Sequence, residues 1–177
     1  MKGAREAVGT GEIGAIADEI RRSHHGDPWH GPGVADVVRG VTSGQAAARP
    51  IPGAHSIWEL VLHLAAWRGE VARRVARGEF GQPPEGDWPE AGSGDRAWRA
   101  ATARLAAAEK KVQRAVAAFP PARLGRVVGG ERDAPLGTGV TYRVMLHGVA
   151  QHDAYHAGQV SLLRRALNPA PTRRKAT

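Results

Sequence analysis

The chain has 177 residues, of which 42% are hydrophobic and 24% are charged. That length suits a single globular domain and the composition is near the globular average, so fibrous and wholly disordered chains are excluded. Because the sequence contains no cysteine, disulfide scaffolds, cysteine nucleophiles and iron–sulfur clusters are excluded as well. Any bound metal ion must be ligated by His, Asp or Glu. We expect a cytoplasmic protein without membrane contact, since no apolar run could cross a bilayer and residues 1–30 lack the apolar segment of a signal peptide.

The formal net charge of +8 is concentrated at the two ends of the chain. Residues 168–177 carry three uncompensated positive charges and residues 1–9 carry one, so we expect disordered tails there and a domain over residues 10–167. Within that domain the arginines are spread along segments that also carry Glu and Asp, a pattern typical of solvated helix faces. The motifs of DNA- and RNA-binding proteins are missing, so we expect no specific nucleic-acid partner.

Four long segments have the periodicity of amphipathic helices. Ser56 and Glu59 have the spacing of a capping box at the start of the second segment, and Gly78 follows as its stop. The connections between the segments are rich in Gly and Pro, with short helical patches at 34–39 and 45–48 and room for a small hairpin around Gly129 and Gly130. The sequence therefore predicts an all-α four-helix bundle with long Gly/Pro-rich connections. The four helical segments are residues 11–24, 56–77, 95–118 and 141–167.

Three of the eight histidines are predicted to point into the bundle. His152 and His156 are four residues apart on the fourth helix, so both project from one face, the spacing that a single metal ion accepts from one helix. His63 lies in the apolar stripe of the second helix. A single inward histidine is usually a hydrogen-bonded core residue, but three together are hard to satisfy without an ion. We therefore predict one divalent metal ion on His63, His152 and His156.

Several other residues are candidates for supporting roles around this site. Glu59 lies one turn before His63 and could be a fourth ligand, although its capping position explains it equally well. Gln159 returns to the face of His152 and is a candidate neighbour of the ligands, and we place Trp67 on a pocket wall. No residue stands out as a general base, so the catalytic residue stays open. Three further histidines lie in the first connection, where we expect surface or pocket-rim positions: His24, His25 and His30.

Other chemistries fit the sequence less well. The segment from His152 to His156 resembles the His-Glu-x-x-His helix of zinc proteases, but with Asp153 in place of the general-base Glu. The shorter side chain would leave the carboxylate about one methylene too far from a metal-bound water, so a protease is disfavoured. Neither the serine-hydrolase nor the P-loop motif occurs.

Two histidine segments resemble a known family. Residues 55–67 (HSIWELVLHLAAW) and 147–159 (HGVAQHDAYHAGQ) are similar to the DinB-like superfamily of YfiT-like metal-dependent hydrolases, and residues 26–32 (GDPWHGP) resemble one branch of it. The resemblance extends over roughly residues 10–167. It implies an up-down-down-up four-helix bundle and a divalent ion, often nickel or zinc, on His63, His152 and His156.

The function that this resemblance implies is less uniform than the fold. Some relatives are thiol transferases or isomerases that use low-molecular-weight thiols, so we expect either a metal-dependent hydrolase or a thiol transferase acting on a small molecule. The alternative is a non-enzymatic stress or interaction protein with a structural ion. The resemblance, together with the Ala-, Trp- and Leu-rich helices, also predicts a homodimer.

Overall fold

The structure is a computed structural model that describes residues 11–168, and these residues form an all-α fold. All four predicted long helices are present, with bounds within one residue or so of the predicted ones. Within the described range there are six α-helices and one short 3₁₀ turn at Pro121–Arg123. The helices are α1 Glu12–His24, α2 Val34–Val38, α3 Ser43–Ala47, α4 Ile57–Arg77, α5 Gly94–Ala117 and α6 Tyr142–Leu167. The tails predicted at 1–9 and 168–177 lie, apart from Asn168, outside the described residues.

The two ends of α4 are set by the residues that the sequence indicated. The Ser56 hydroxyl accepts a hydrogen bond from the Glu59 backbone N–H at 3.3 Å, and the Glu59 carboxylate accepts one from the Ser56 N–H at 2.8 Å. This reciprocal capping box satisfies two backbone donors that have no partner inside the helix. At the other end Gly78 has a φ of 73°, a left-handed conformation that glycine adopts without a steric penalty.

Each of the four long helices contacts two others. Helix α1 packs on α5 and α6, and α4 also packs on α5 and α6. The interior divides into two apolar clusters, one around Trp58 and Trp98 and the other around Val112 and Leu146. Helix α4 is buried along most of its length and on more than one face, because α3, α5 and α6 all contact it. Side chains of α4 therefore fill much of the centre of the bundle.

The connection between α5 and α6 is ordered by a short antiparallel pairing. Val127 and Thr141 form an isolated β-bridge, and Val128 exchanges backbone hydrogen bonds with Gly139 and Val140 at 2.8 Å. The predicted hairpin is thus reduced to one bridge. Gly139 has a φ of 72°, and a Cβ there would lie 2.5 Å from the backbone of Arg132. Only glycine fits this point of the connection.

The expectation that the arginines of the domain lie on solvated faces is wrong for two of them. Arg68 and Arg74 are each only 2% exposed. Both lie on α4, and both guanidinium groups are paired with buried carboxylates, Arg74 with Glu70 and Arg68 with Asp153. Such pairing is what permits a charged side chain to be buried.

His25 and His30 are exposed, as expected for surface or pocket-rim residues. His24 is buried, so a surface position is wrong for it. His24 is the last residue of α1 and is 6% exposed. Its Nδ1 has no hydrogen-bond partner among residues 11–168, and burial lowers the pKa of His24 to about 3. The ring lines a cavity of about 360 Å³ beside Val38 and Trp98.

Candidate metal centre

The three histidines predicted to point inward meet at one point between α4 and α6. The Nε2 atom of His152 lies 3.0 Å from Nε2 of His63 and 2.9 Å from Nε2 of His156. One ring nitrogen from each residue falls within a group whose members are all within 4.8 Å of one another. The spacing of His152 and His156 and the position of His63 in its apolar stripe thus predicted the cluster that the structure contains.

The hydrogen bonds of two of these rings decide which nitrogen is free. Nδ1 of His63 lies 2.7 Å from the carbonyl oxygen of Asp87, and Nδ1 of His156 lies 2.6 Å from Oε1 of Gln159. Both partners are acceptors, so each Nδ1 carries the proton and each Nε2 presents a lone pair. His152 can donate from its own Nε2 to only one of them. Hydrogen bonding within this cluster therefore leaves at least one of the three Nε2 atoms unsatisfied, whereas a shared cation would satisfy all three.

Burial keeps these imidazoles neutral. It lowers the pKa of His152 to about 3 and that of His156 to about 4. The pKa of His63 is also lowered by burial, against an opposing effect of Asp87. Metal ligation requires the neutral form of the ring, so the site is ready for a cation at neutral pH.

The converging group found within residues 11–168 has three members, and Glu59 is not one of them. The Glu59 carboxylate is engaged by the cap of Ser56 and by Arg49, whose Nη2 lies 2.5 Å from Oε1. Its pKa is lowered by these partners, although burial opposes them. Of the two explanations that the sequence left open for Glu59, the cap is the one that the hydrogen bonds support.

The connection between α4 and α5 supplies two residues that sequence reasoning missed. Besides its carbonyl contact, Asp87 places Oδ1 3.1 Å from Nδ1 of His63 and accepts a hydrogen bond from Trp67 Nε1 at 2.6 Å. Trp88 lies between two imidazoles, stacked on His55 at 3.5 Å and on His63 at 4.0 Å between ring centroids. An acid and an aromatic residue inside a Gly/Pro-rich connection were the available signal, since such loops often carry function.

A cavity of about 420 Å³ opens beside the cluster. His63 and His152 lie at one end of it, with Trp67 and Asp87, so Trp67 is on a pocket wall as predicted. Most of the remaining lining is apolar and comes from α4, α6 and the connection before α6. A metal ion on the three Nε2 atoms would thus face a space of the size that holds a small molecule.

Other residues of the segments 55–67 and 147–159 are distributed as follows. Gln159 contacts the cluster directly through His156, as its position on the helix face indicated. His147 points away from the site, where its Nδ1 lies 2.6 Å from a carboxylate oxygen of Glu19. Tyr155 is 64% exposed, and Trp58 packs on Trp98 in the apolar cluster away from the imidazoles.

The family model of the DinB superfamily matches residues 33–160. This match covers most of the chain and includes α4, α5 and all three histidines of the cluster. The chain belongs to the DinB superfamily. No curated protein matches it, so the family membership and the site together carry the functional argument. Within residues 11–168, no helix combines the length and the apolar character needed to span a membrane.

Proposed function

We propose that this DinB-superfamily protein is a metal-dependent enzyme that acts on a small molecule, with His63, His152 and His156 as the ligands of one divalent ion. The observation that carries the proposal is the convergence of three neutral ring nitrogens beside a cavity of about 420 Å³. Imidazole ligands suit zinc and nickel, which are the ions we propose. A divalent ion on three neutral ligands supplies Lewis acidity toward water or a low-molecular-weight thiol.

The residues around the ligands would fix their orientation. The Asp87 carbonyl and the Gln159 side-chain oxygen each accept a hydrogen bond from a ring Nδ1–H, which opposes rotation of the ring and a change of tautomer. Trp88 covers one face of the His63 ring and limits access of solvent to that side. These contacts leave the cavity side of the cluster as the open approach for a substrate.

A structural ion is the alternative, and it would need a closed coordination sphere. Among the described residues the converging group supplies three ligands, and the carboxylate of Glu59 is already occupied by Ser56 and Arg49. Both points support an ion with a free position next to the cavity. We therefore favour the catalytic role over a non-enzymatic metal-binding protein.

The proposal can be tested by turnover. Protein loaded with zinc or nickel should convert a member of one of two panels, either esters and amides for hydrolysis or electrophiles offered with a low-molecular-weight thiol for transfer. Activity should disappear on chelation and return when the ion is added back. Absence of metal-dependent turnover in both panels, together with a saturated coordination sphere in X-ray absorption spectra, would favour the structural-ion alternative.

We further propose the up-down-down-up order for the four long helices. Contacts between α1 and α6 advance in the same direction along both helices, as do those between α4 and α5, which supports parallel pairs. Contacts between α4 and α6 run in opposite directions. The supporting pairs are Glu12 with Arg143 and Ser23 with Asp153, Trp58 with Trp98 and Arg68 with Glu109, and His63 with His156 and Arg74 with Tyr142.

The homodimer is also a proposal, and α6 supplies the surface for it. Val144, Tyr155 and Leu162 are each more than half exposed, and their spacing places them on one face of the helix. A two-fold pair of α6 helices would bury this face. Light scattering should give twice the chain mass of 18.8 kDa, and Leu162→Glu should restore the monomer. A monomeric wild type at tens of micromolar would contradict this proposal.

A further inference from the structure

The cavity beside the histidine cluster has a cationic group in its lining, further along α4 than His63. His63 and Arg74 lie eleven residues apart on α4 and both line the cavity. Eleven residues bring the helix back to nearly the same face and advance it by about 16 Å. The cavity lining therefore extends along α4 and includes ring nitrogens and a guanidinium group, whose carbon lies 5.6 Å from the centre of the Trp67 ring.

Arg74 is fixed in place and has one nitrogen to spare. Its Nε donates to the Glu70 carboxylate at 2.7 Å and its Nη2 donates to the Gly81 carbonyl at 2.9 Å. Among residues 11–168, Nη1 has no hydrogen-bond partner, and it lies near Gly137, where a Cβ would be 3.8 Å away. Gly137 itself lines the cavity. The free nitrogen of Arg74 is thus on the cavity side.

Within the described residues, the ion pairs around Arg74 leave its Nη1 without a partner. The single carboxylate of Glu70 is shared between two guanidinium groups, because Arg73 donates to its Oε2 at 2.5 Å while Arg74 donates to its Oε1. Glu70 also accepts from the Gly81 N–H at 3.1 Å. Arg73 also pairs with Glu79 at 3.4 Å, so two guanidinium groups face two carboxylates here. The Glu70 oxygens are occupied by their donors, and Nη1 of Arg74 is left to donate to a ligand in the cavity, where burial strengthens electrostatic interactions.

Most of the cavity lining between His63 and Arg74 is apolar. The one charged side chain there is Arg68, whose guanidinium pairs with Asp153 and Glu109. The apolar side chains come from α4, α6 and the connection before α6. They are Val71, Pro135, Leu136, Val140, Met145 and Val149. A sugar-like or highly hydroxylated molecule would lose its hydration here without compensation.

Building on the proposed function, we propose that this cavity takes an elongated amphipathic carboxylic acid. The carboxylate would pair with Nη1 of Arg74, the hydrocarbon or aromatic body would occupy the apolar middle, and the far end would reach the metal centre. A guanidinium group binds a carboxylate through charge-assisted hydrogen bonds, which sets the orientation of the molecule. The substrate class is therefore defined by three features: one acidic end, an apolar body and a reactive group remote from the acid.

Binding of matched probes tests this without any need for turnover. By calorimetry, 6-phenylhexanoate should bind and 6-phenylhexanamide, which has the same shape and no charge, should bind at least about tenfold more weakly. Benzoate is too short to span the cavity and should bind more weakly as well. Equal affinity for the acid and the amide, or no binding of the acid, would overturn the proposal.

Two sets of variants locate the probe without disturbing the buried ion pair of Arg74. Leu136→Asp places a negative charge on the cavity wall next to Gly137 and should weaken binding of the acid about tenfold or more, whereas the nearly isosteric Leu136→Asn should not. Gly148 lines the cavity one turn before His152, and a Cβ there would meet open space. Gly148→Leu should fill the cavity and abolish binding while leaving the helix intact.

Binding of the acid in the cavity can be tested independently of the proposed enzymatic function. Calorimetry is carried out on chelator-treated protein and on zinc-loaded protein, and the metal content is measured in each. Acid binding that is lost in Gly148→Leu but present without metal supports the cavity assignment even if the protein proves to have no metal-dependent turnover. Undiminished acid binding by Gly148→Leu would place the acid elsewhere and overturn the proposal, whatever the metal content.

Discussion

Replacing His152 with alanine is expected to abolish binding of the divalent ion. The Nε2 atom of His152 lies 3.0 Å from that of His63 and 2.9 Å from that of His156. Its removal leaves only two of the three proposed ligands. The affinity should fall by more than the roughly 10–100-fold that follows loss of a group outside the ligand shell. The wild type, incubated with zinc or nickel and dialysed, should retain one ion per chain, and the variant should retain none.

Thermal denaturation provides an independent readout of the same event. An ion that binds the folded chain stabilises it by about 2.7 kcal/mol when its concentration is 100 times the Kd, so the melting temperature of the wild type should rise with added zinc and that of His152→Ala should not. His147→Ala is the matched control, because His147 is on the same helix but contacts Glu19 on the exposed side. A wild type that stays free of metal and shows no thermal shift would refute the site.

The affinity for the ion should depend only weakly on pH between 7.5 and 5.5. A histidine whose pKa is lowered in the folded protein keeps its lone pair until the pH falls through that lower value. Burial lowers the pKa of His152 to about 3 and of His156 to about 4, so protons do not compete for these two ligands in this range, and burial lowers the pKa of His63 as well. Three exposed histidines with the ordinary pKa near 6.5 would each cost about tenfold in affinity at pH 5.5. A drop of that size in the same zinc titration would contradict the buried, neutral site.

The helices and the histidine cluster could be predicted because both follow from local periodicity. His152 and His156 share a helix face through a four-residue spacing that does not depend on the rest of the fold. His63 was placed inward by its apolar neighbours on α4. Proximity of the three required only that α4 and α6 pack against each other, which is the ordinary consequence of two apolar stripes in a bundle.

Asp87 and Trp88 could not be predicted in the same way. They lie in a connection whose path over the bundle depends on Gly and Pro turns and on contacts far along the chain, such as that between Asp87 and Trp67. No periodicity indicates where such a segment returns. Arg74, a cation in the cavity lining, was missed for a related reason. The arginines were assigned to solvated faces because their segments also carry acidic residues, and the sequence does not show with which carboxylate each one pairs.

Arg68 and Asp153 were missed because α4 is buried on several sides. Sequence patterns distinguish an inward from an outward face only when one of them is solvated, and α4 has no wide solvated face near Arg68. Asp153 was considered only as a general base and was set aside for its short side chain, and one residue along α6 it is rotated by about 100° from His152. That rotation places it on another interior face, where burial raises its pKa against the opposing effect of Arg68.

These two residues form the centre of a network that joins all four long helices. Arg68 of α4 pairs with Asp153 of α6 and with Glu109 of α5, and the hydroxyl of Ser23 at the end of α1 donates to Asp153 at 2.5 Å. Gln113 of α5 donates to Glu109 at 2.9 Å and to a backbone carbonyl of α1. One cation thus compensates two carboxylates in an interior from which solvent is excluded.

Arg68→Met is therefore expected to destabilise the protein by about 3–5 kcal/mol, because it leaves Asp153 and Glu109 buried without a counter-charge. The measurement is the urea midpoint of the metal-free protein. Arg39→Met is the control, since its guanidinium pairs with Asp36 at 2.6 Å but is 76% exposed, and an exposed pair contributes about 0–1 kcal/mol.

Replacing all three charged residues together, as Arg68→Met with Asp153→Leu and Glu109→Leu, should recover much of the loss, because the uncompensated charges are then gone. If Arg68→Met alone is as stable as Arg39→Met, water reaches these carboxylates in solution and the network does not join the helices.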